Sequence, residues 1–148
     1  MGRLAKFWFM ARREKTFLCE AGILLLLSNA FIKAIAFRRI DRFLRARWIN
    51  GSEGRTGEEQ EIRLVRRSIS RAANVLPWRS LCLSRSIAEF IMLRRRGIQA
   101  ILLAGAKFSD RSSLDAHAWV ETGLANDKSS ENSGFATVIR IGTKGVDQ

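Results

Sequence analysis

Two side chains in this sequence could act together as a nucleophile and a base. Cys82 closes the run Leu76-Pro77-Trp78-Arg79-Ser80-Leu81-Cys82 and falls in the first turn of a helix expected from about Ser80 to Arg96. The thiolate is the reactive form of cysteine, and a helix N-terminus favours it through unpaired N–H groups and a partial positive charge. His117, the one imidazole in the chain, follows 35 residues later on an expected strand. Such a pair needs a ring nitrogen within reach of sulfur, plus a third group to hold the other nitrogen. Asp115, Glu121 and Asp127 are the nearest carboxylates for that role. In an extended strand Asp115 and Glu121 share the histidine's face, about 7 Å and about 13 Å away. Asp127 opens a polar loop that can fold back beside the ring. The chemistry open to this set is acyl transfer through a thioester. Each residue also has a plainer reading, the cysteine as a small buried hydrophobe and the histidine as a structural residue. Cys19, the other thiol, falls inside an apolar helix and reads as a packing residue.

Composition removes most other chemistries. With one histidine and two cysteines, a His-rich zinc site is excluded, and no metal-ligand spacing or cofactor motif is visible. Two cysteines do not staple a secreted scaffold, so a reducing, cytoplasmic setting is expected. Tyrosine is absent, which excludes tyrosine nucleophiles. At 148 residues, 47% apolar and 27% charged, the chain is expected to fold as one globular domain. The net charge of +12 is unevenly spread: residues 1–50 carry 11 basic and 3 acidic residues, whereas residues 98–148 carry 5 and 6. A basic body of this kind suits nucleic acid, anionic lipid or an acidic protein partner. No nucleic-acid motif accompanies it.

The elements that must position Cys82 and His117 can be traced by periodicity. Ala21–Phe37 is 17 residues of mostly apolar sequence interrupted by Ser28, Asn29 and Lys33. It is short for a spanning helix and reads first as a core helix, then as an interfacial one. Phe37, Ile40, Phe43, Leu44 and Trp48 form one stripe opposite five arginines, an amphipathic helix suited to packing, a partner groove or a membrane surface. Asn50–Gly57 is glycine-rich and reads as a loop. A further helix carries Ile62, Val65, Ile69, Ala72, Ala73 and Leu76 at spacings of three and four until Pro77. The Cys82 helix ends at Gly97 behind Arg94, Arg95 and Arg96, with Leu83, Ile87, Phe90 and Ile91 as its expected inner arc. Ile98–Phe108, Ala116–Thr122 and Phe135–Ile141 read as strands, the second with His117, Trp119 and Glu121 on one face and Ala116, Ala118 and Val120 on the other. Helices followed by strands imply an α+β domain with a small antiparallel sheet. The expected layout is an N-terminal tail over 1–14 and one domain over 15–148, helical through 97 and sheet from 98 to 142.

The motifs around the two reactive residues resemble a known family. Pro77-Trp78 ahead of Cys82-Leu83, the helix exit Leu93-Arg94-Arg95-Arg96-Gly97-Ile98, Ala116-His117-Ala118-Trp119-Val120-Glu121 and Asn126-Asp127 together look like the transglutaminase-like cysteine peptidases of lasso-peptide biosynthesis, the microcin-processing B proteins. The likeness covers roughly residues 15–142. It implies a papain/transglutaminase-like α+β fold in which N-terminal helices and a Cys-bearing helix pack on the sheet. It implies a leader peptidase with Cys82 as nucleophile, His117 as base and then acid, and Asp127 as orienter, on a connection shorter than the family's usual one. The Cys82 N–H is the first choice of oxyanion donor, and Trp78 and Trp119 are further oxyanion or substrate-binding candidates. Many members begin with a leader-recognition domain, whereas this chain is expected to start with the peptidase unit. Its implied partners are a lasso precursor, a separate small recognition protein and an ATP-dependent cyclase, with no cofactor and no nucleic acid. The Phe37–Trp48 stripe or the helix before it is the expected docking surface for the recognition protein, and peripheral membrane contact is a second use of the same basic region. The rivals are an amidase or transglutaminase using the same three residues, and a basic nucleic-acid- or membrane-binding adaptor without catalysis.

Overall fold

A computed structural model of the chain describes residues 12–34, 39, 42–44, 59–76, 82–110, 113–122 and 134–142. Three helices precede three strands: α1 (Arg12–Ala34), α2 (Glu59–Val75), α3 (Cys82–Arg95), β1 (Ala100–Asp110), β2 (Ser113–Thr122) and β3 (Ala136–Ile141). The strands form one antiparallel sheet in the order β2-β1-β3, with β1 in the centre. The helices pack on one face of this sheet, giving the α+β architecture that a run of helices before a run of strands implies.

The amphipathic pattern of α2 is realised residue by residue. Ile62, Val65, Ile69, Ala72 and Ala73 are buried, as is Ser68, whose hydroxyl donates to Leu64 O at 2.8 Å and so is satisfied within its own helix. Helix α3 differs from its expected one-sided arc. Ser84, Ser86, Ile87, Ala88, Phe90, Met92 and Leu93 are buried, whereas Leu83 and Ile91 are only partly so. The reason is its position: α3 touches α1 and α2 on one side and β1 and β2 on the other, so most of its circumference is covered. Its C-terminus is closed by bonds from Gly97 N to Arg94 O and from Ile98 N to Leu93 O, both 3.0 Å, with Gly97 at φ +71°. That is a Schellman turn, and glycine takes its left-handed position without a Cβ penalty.

Helix α1 is apolar on two sides and buries only one. Phe17, Ala21, Leu25, Ser28 and Asn29 face the core, while Ile23, Leu26, Leu27 and Phe31 are exposed. Cys19 is exposed as well, which corrects its reading as a packing residue. It lies two residues from Phe17 and from Ala21, about 200° around the helix from either. By length and composition α1 is apolar enough to cross a membrane. Its inner stripe is nevertheless tied to the other helices: Arg96 reaches back from the end of α3 to Glu20, with its guanidinium 4.0 Å from the centre of the Phe17 ring. Most of the stripe expected over 37–48, and the loop expected over 50–57, lie outside the described residues. Of the described part, Leu44 is buried and Phe43 is exposed, its ring 6.2 Å from that of Phe31.

Candidate active site

Cys82 is the first residue of α3 and is half-buried. Its Sγ lies 4.0 Å from Ala116 O, the carbonyl of the peptide unit that joins Ala116 to His117. One turn along, Ser86 Oγ donates to Ala118 O at 2.8 Å, and Arg66 Nη2 of α2 donates to Val120 O at 3.4 Å. Alternate carbonyls of β2 therefore receive donors from the helices along the strand edge that β1 does not occupy. An edge strand with unpaired backbone groups invites further pairing, and here helical side chains cover it. The same contacts set the register of the cysteine helix against the histidine strand.

The alternation expected in β2 is present. Ala118 and Val120 are buried on the helix side, and His117, Trp119 and Glu121 point to the other face, each half-buried. The His117 ring stacks on Trp119 with centroids 6.1 Å apart and planes at 16°, and it meets Phe135 at 5.5 Å and 38°. Trp119 and Phe135 also contact each other, at 6.3 Å. The indole N–H of Trp119 donates to Glu121 Oε1 at 3.3 Å, so Glu121 serves the tryptophan. Among the described residues, neither nitrogen of His117 has a hydrogen-bond partner. Asp115 is exposed and stands opposite Lys107 in the strand pairing.

Gly105 and Phe135 are the site residues that sequence reasoning missed. Gly105 is the cross-strand partner of His117 and of Thr137. A Cβ there would come 2.8 Å from Ala136 O, 3.1 Å from Trp119 Cη2 and 3.2 Å from Phe135 Cβ. The missing side chain lets the indole and the phenyl ring settle onto β1 beside the imidazole. A register shift between Ala104 and Gly105 marks the same point: Ala104 pairs with Ile139 and Gly105 with Thr137, which leaves Val138 as the extra residue of a bulge. A signal was available, since a lone glycine inside a strand run often marks a bulge or a close backbone approach. Lys107 Nζ completes the cluster, 4.5 Å from the centre of the Phe135 ring.

The structure thus sets the Cys82 thiol beside the backbone of His117, and Trp119 beside the imidazole. Trp78 and Asp127 lie outside the described residues. The thiol meets the strand at its backbone, whereas the His117 ring lies against Trp119 and Phe135 on the other face, and no hydrogen bond joins ring and sulfur among the described residues. No curated protein and no solved structure matches the chain. A family model described as the Transglutaminase-like superfamily does match, over residues 24–140, a span that runs from the second half of α1 through the cysteine helix and the histidine strand into β3. That superfamily carries thiol-based peptidase and acyltransferase chemistry, and the match covers well over half of the sequence. The chain belongs to the transglutaminase-like superfamily.

Proposed function

We propose that the protein is a cytoplasmic cysteine peptidase that removes the leader from a ribosomally made lasso-peptide precursor, so that the new amine can close the macrolactam ring. The observation that carries the reading is the contact of Cys82 Sγ with the carbonyl adjoining His117, 4.0 Å away and from a helix start. In the proposed reaction His117 takes the thiol proton as sulfur attacks the scissile carbonyl carbon. The tetrahedral intermediate then collapses, the C–N bond breaks, and His117 returns the proton to the departing amine. Water activated by the same ring hydrolyses the thioester and frees Cys82. The Cys82 N–H, at the first position of α3, has no partner within the helix and is assigned to the oxyanion. Trp119 stacks on the ring and limits its tilt, and Asp127 is assigned to its second nitrogen by the Asn126-Asp127 motif. Two observations favour Asp127 over its neighbours: Asp115 is exposed beside Lys107, and Glu121 accepts the Trp119 N–H.

The choice of a lasso precursor over another acyl donor rests on the Leu93–Ile98 and Ala116–Glu121 motifs. It brings with it a small recognition protein that delivers the leader and an ATP-dependent cyclase that uses the product. The test is mass spectrometry of a short precursor peptide encoded beside this chain, incubated with the protein and the neighbouring recognition protein. Cleavage between leader and core is expected, and it should disappear in Cys82→Ala while circular dichroism stays unchanged. A fully active Cys82→Ala protein, or transfer of the acyl group to an amine without hydrolysis, would refute the peptidase reading.

A further inference from the structure

The outer face of α1 is apolar, exposed and flanked by cations. Cys19, Ile23, Leu26, Leu27, Ala30 and Ala34 recur at spacings of three and four, and all are exposed. Ile23 and Leu27 keep 57% and 59% of their surface in solvent. Phe31 and the nearby Phe43 continue the strip beyond the aliphatic residues. The helix is 23 residues long, about 34 Å of axis, so the strip is extended as well as apolar. Monomeric soluble proteins seldom leave a contiguous apolar face of this extent open to water.

The charges around the strip decide what fits it. Both carboxylates of α1 turn inward: Glu14 pairs with Arg71 of α2 at 3.8 Å, and Glu20 with Arg95 at 3.1 Å and with Arg96. Exposed cations stand at the two ends, Arg12 at the start and Lys33, Arg39 and Arg42 at the close. These four make no ion pair among the described residues. A second copy of the chain docked here would set these cations against their own kind. An anionic lipid surface answers both features at once, taking the aliphatic side chains below the headgroups and the cations among the phosphates.

We propose that the outer face of α1 binds an anionic membrane surface, with the helix lying in the interface plane and the sheet held on the far side of the helical layer. Crossing is disfavoured by the same packing: Phe17, Ala21 and Leu25 are buried in the core, and a span would carry Glu14 and Glu20 into hydrocarbon. The proposal is independent of the peptidase reading, because neither the strip nor the cations belong to the Cys82–His117 site.

The experiment is flotation of the full chain with vesicles of phosphatidylcholine, alone or mixed with phosphatidylglycerol. It is combined with labelling by a water-soluble maleimide, resolved peptide by peptide. Binding is expected to the mixed vesicles and to weaken with added salt. On binding, labelling of Cys19 should fall while labelling of Cys82 does not. Ile23→Asp with Leu27→Asp should weaken binding about tenfold or more, since two aliphatic side chains no longer leave water. Both positions are exposed, so the thermal midpoint should not fall. Arg12→Gln with Lys33→Gln should lower both the binding and its salt dependence. The proposal is overturned if the wild type does not float, or if Cys19 in bound protein labels as fast as in free protein. Unchanged flotation of the Asp variant overturns it too, whether that substitution instead breaks a concentration-dependent dimer or the capture of the recognition protein.

Discussion

Replacing Gly105 by alanine should damage the fold a little and the reaction considerably more. The added Cβ would meet Ala136 O at 2.8 Å, and that oxygen is backbone in a paired strand, so β3 must move before the contact relaxes. The next two contacts, 3.1 Å to Trp119 and 3.2 Å to Phe135, fall on the rings that flank His117. Overpacking of this kind costs about 1–3 kcal/mol. The reduced freedom of the unfolded chain offsets about 0.4–1 kcal/mol of it. A net loss of about 1–2 kcal/mol is expected, and a chain of this size loses about 2–4 °C in Tm per kcal/mol. Turnover should fall by about tenfold or more, since a catalytic group displaced by roughly 1 Å can cost about a hundredfold. The effect should appear in kcat more than in KM, because the rings position the imidazole. Gly134→Ala is the control: its nearest neighbour would be Lys107 Cδ at 3.9 Å, an ordinary contact, so Tm and turnover should both hold. The assays are thermal unfolding and single-turnover cleavage of the precursor. Unchanged Tm and unchanged turnover in Gly105→Ala would refute the argument, as would equal damage from Gly134→Ala.

Two further outcomes are expected, one from the contacts of α3 with β2 and one from the Asn126-Asp127 motif. Ser86→Ala removes the 2.8 Å bond to Ala118 O and leaves a buried carbonyl unpaired, so urea unfolding should show a loss of about 1–3 kcal/mol. A variant as stable as the wild type would mean that this bond does not hold α3 to the strand edge. Asp127→Asn should lower turnover by roughly a hundredfold or more with a modest effect on substrate binding, and Asp115→Asn by less than about tenfold. The reverse order in single-turnover assays would move the orienting role to Asp115.

Much of the scaffold was legible because it is recorded in local periodicity. Helix α2 has one wet and one dry side, and its dry residues, Ile62, Val65, Ile69, Ala72 and Ala73, are those that spacings of three and four select. Strand β2 alternates, so the separation of His117, Trp119 and Glu121 from Ala118 and Val120 could be read directly. Gly97 marked the end of α3 because a left-handed cap position discriminates strongly for glycine. The placement of Cys82 at a helix start and of His117, the chain's one imidazole, on a strand was legible as well.

What the sequence could not decide was how those pieces face one another. An apolar pattern on two sides of α1 contains no instruction about which side meets the core, and packing against α2 and α3 chose the side with Phe17, Ala21 and Leu25, leaving Cys19 in solvent. Helix α3 is covered on both sides because it is sandwiched, and its own periodicity does not announce a second neighbour. The order β2-β1-β3 brings residues 34 apart in sequence, Cys82 and Ala116, to one strand edge. Gly105 acquires its role only when β3 folds against β1 and delivers Phe135 over it. Local sequence determines which side of an element prefers oil to water, through the fixed geometry of helix and strand. The choice between equally apolar sides, and the meeting of distant side chains, belong to long-range packing, which depends on all the elements together.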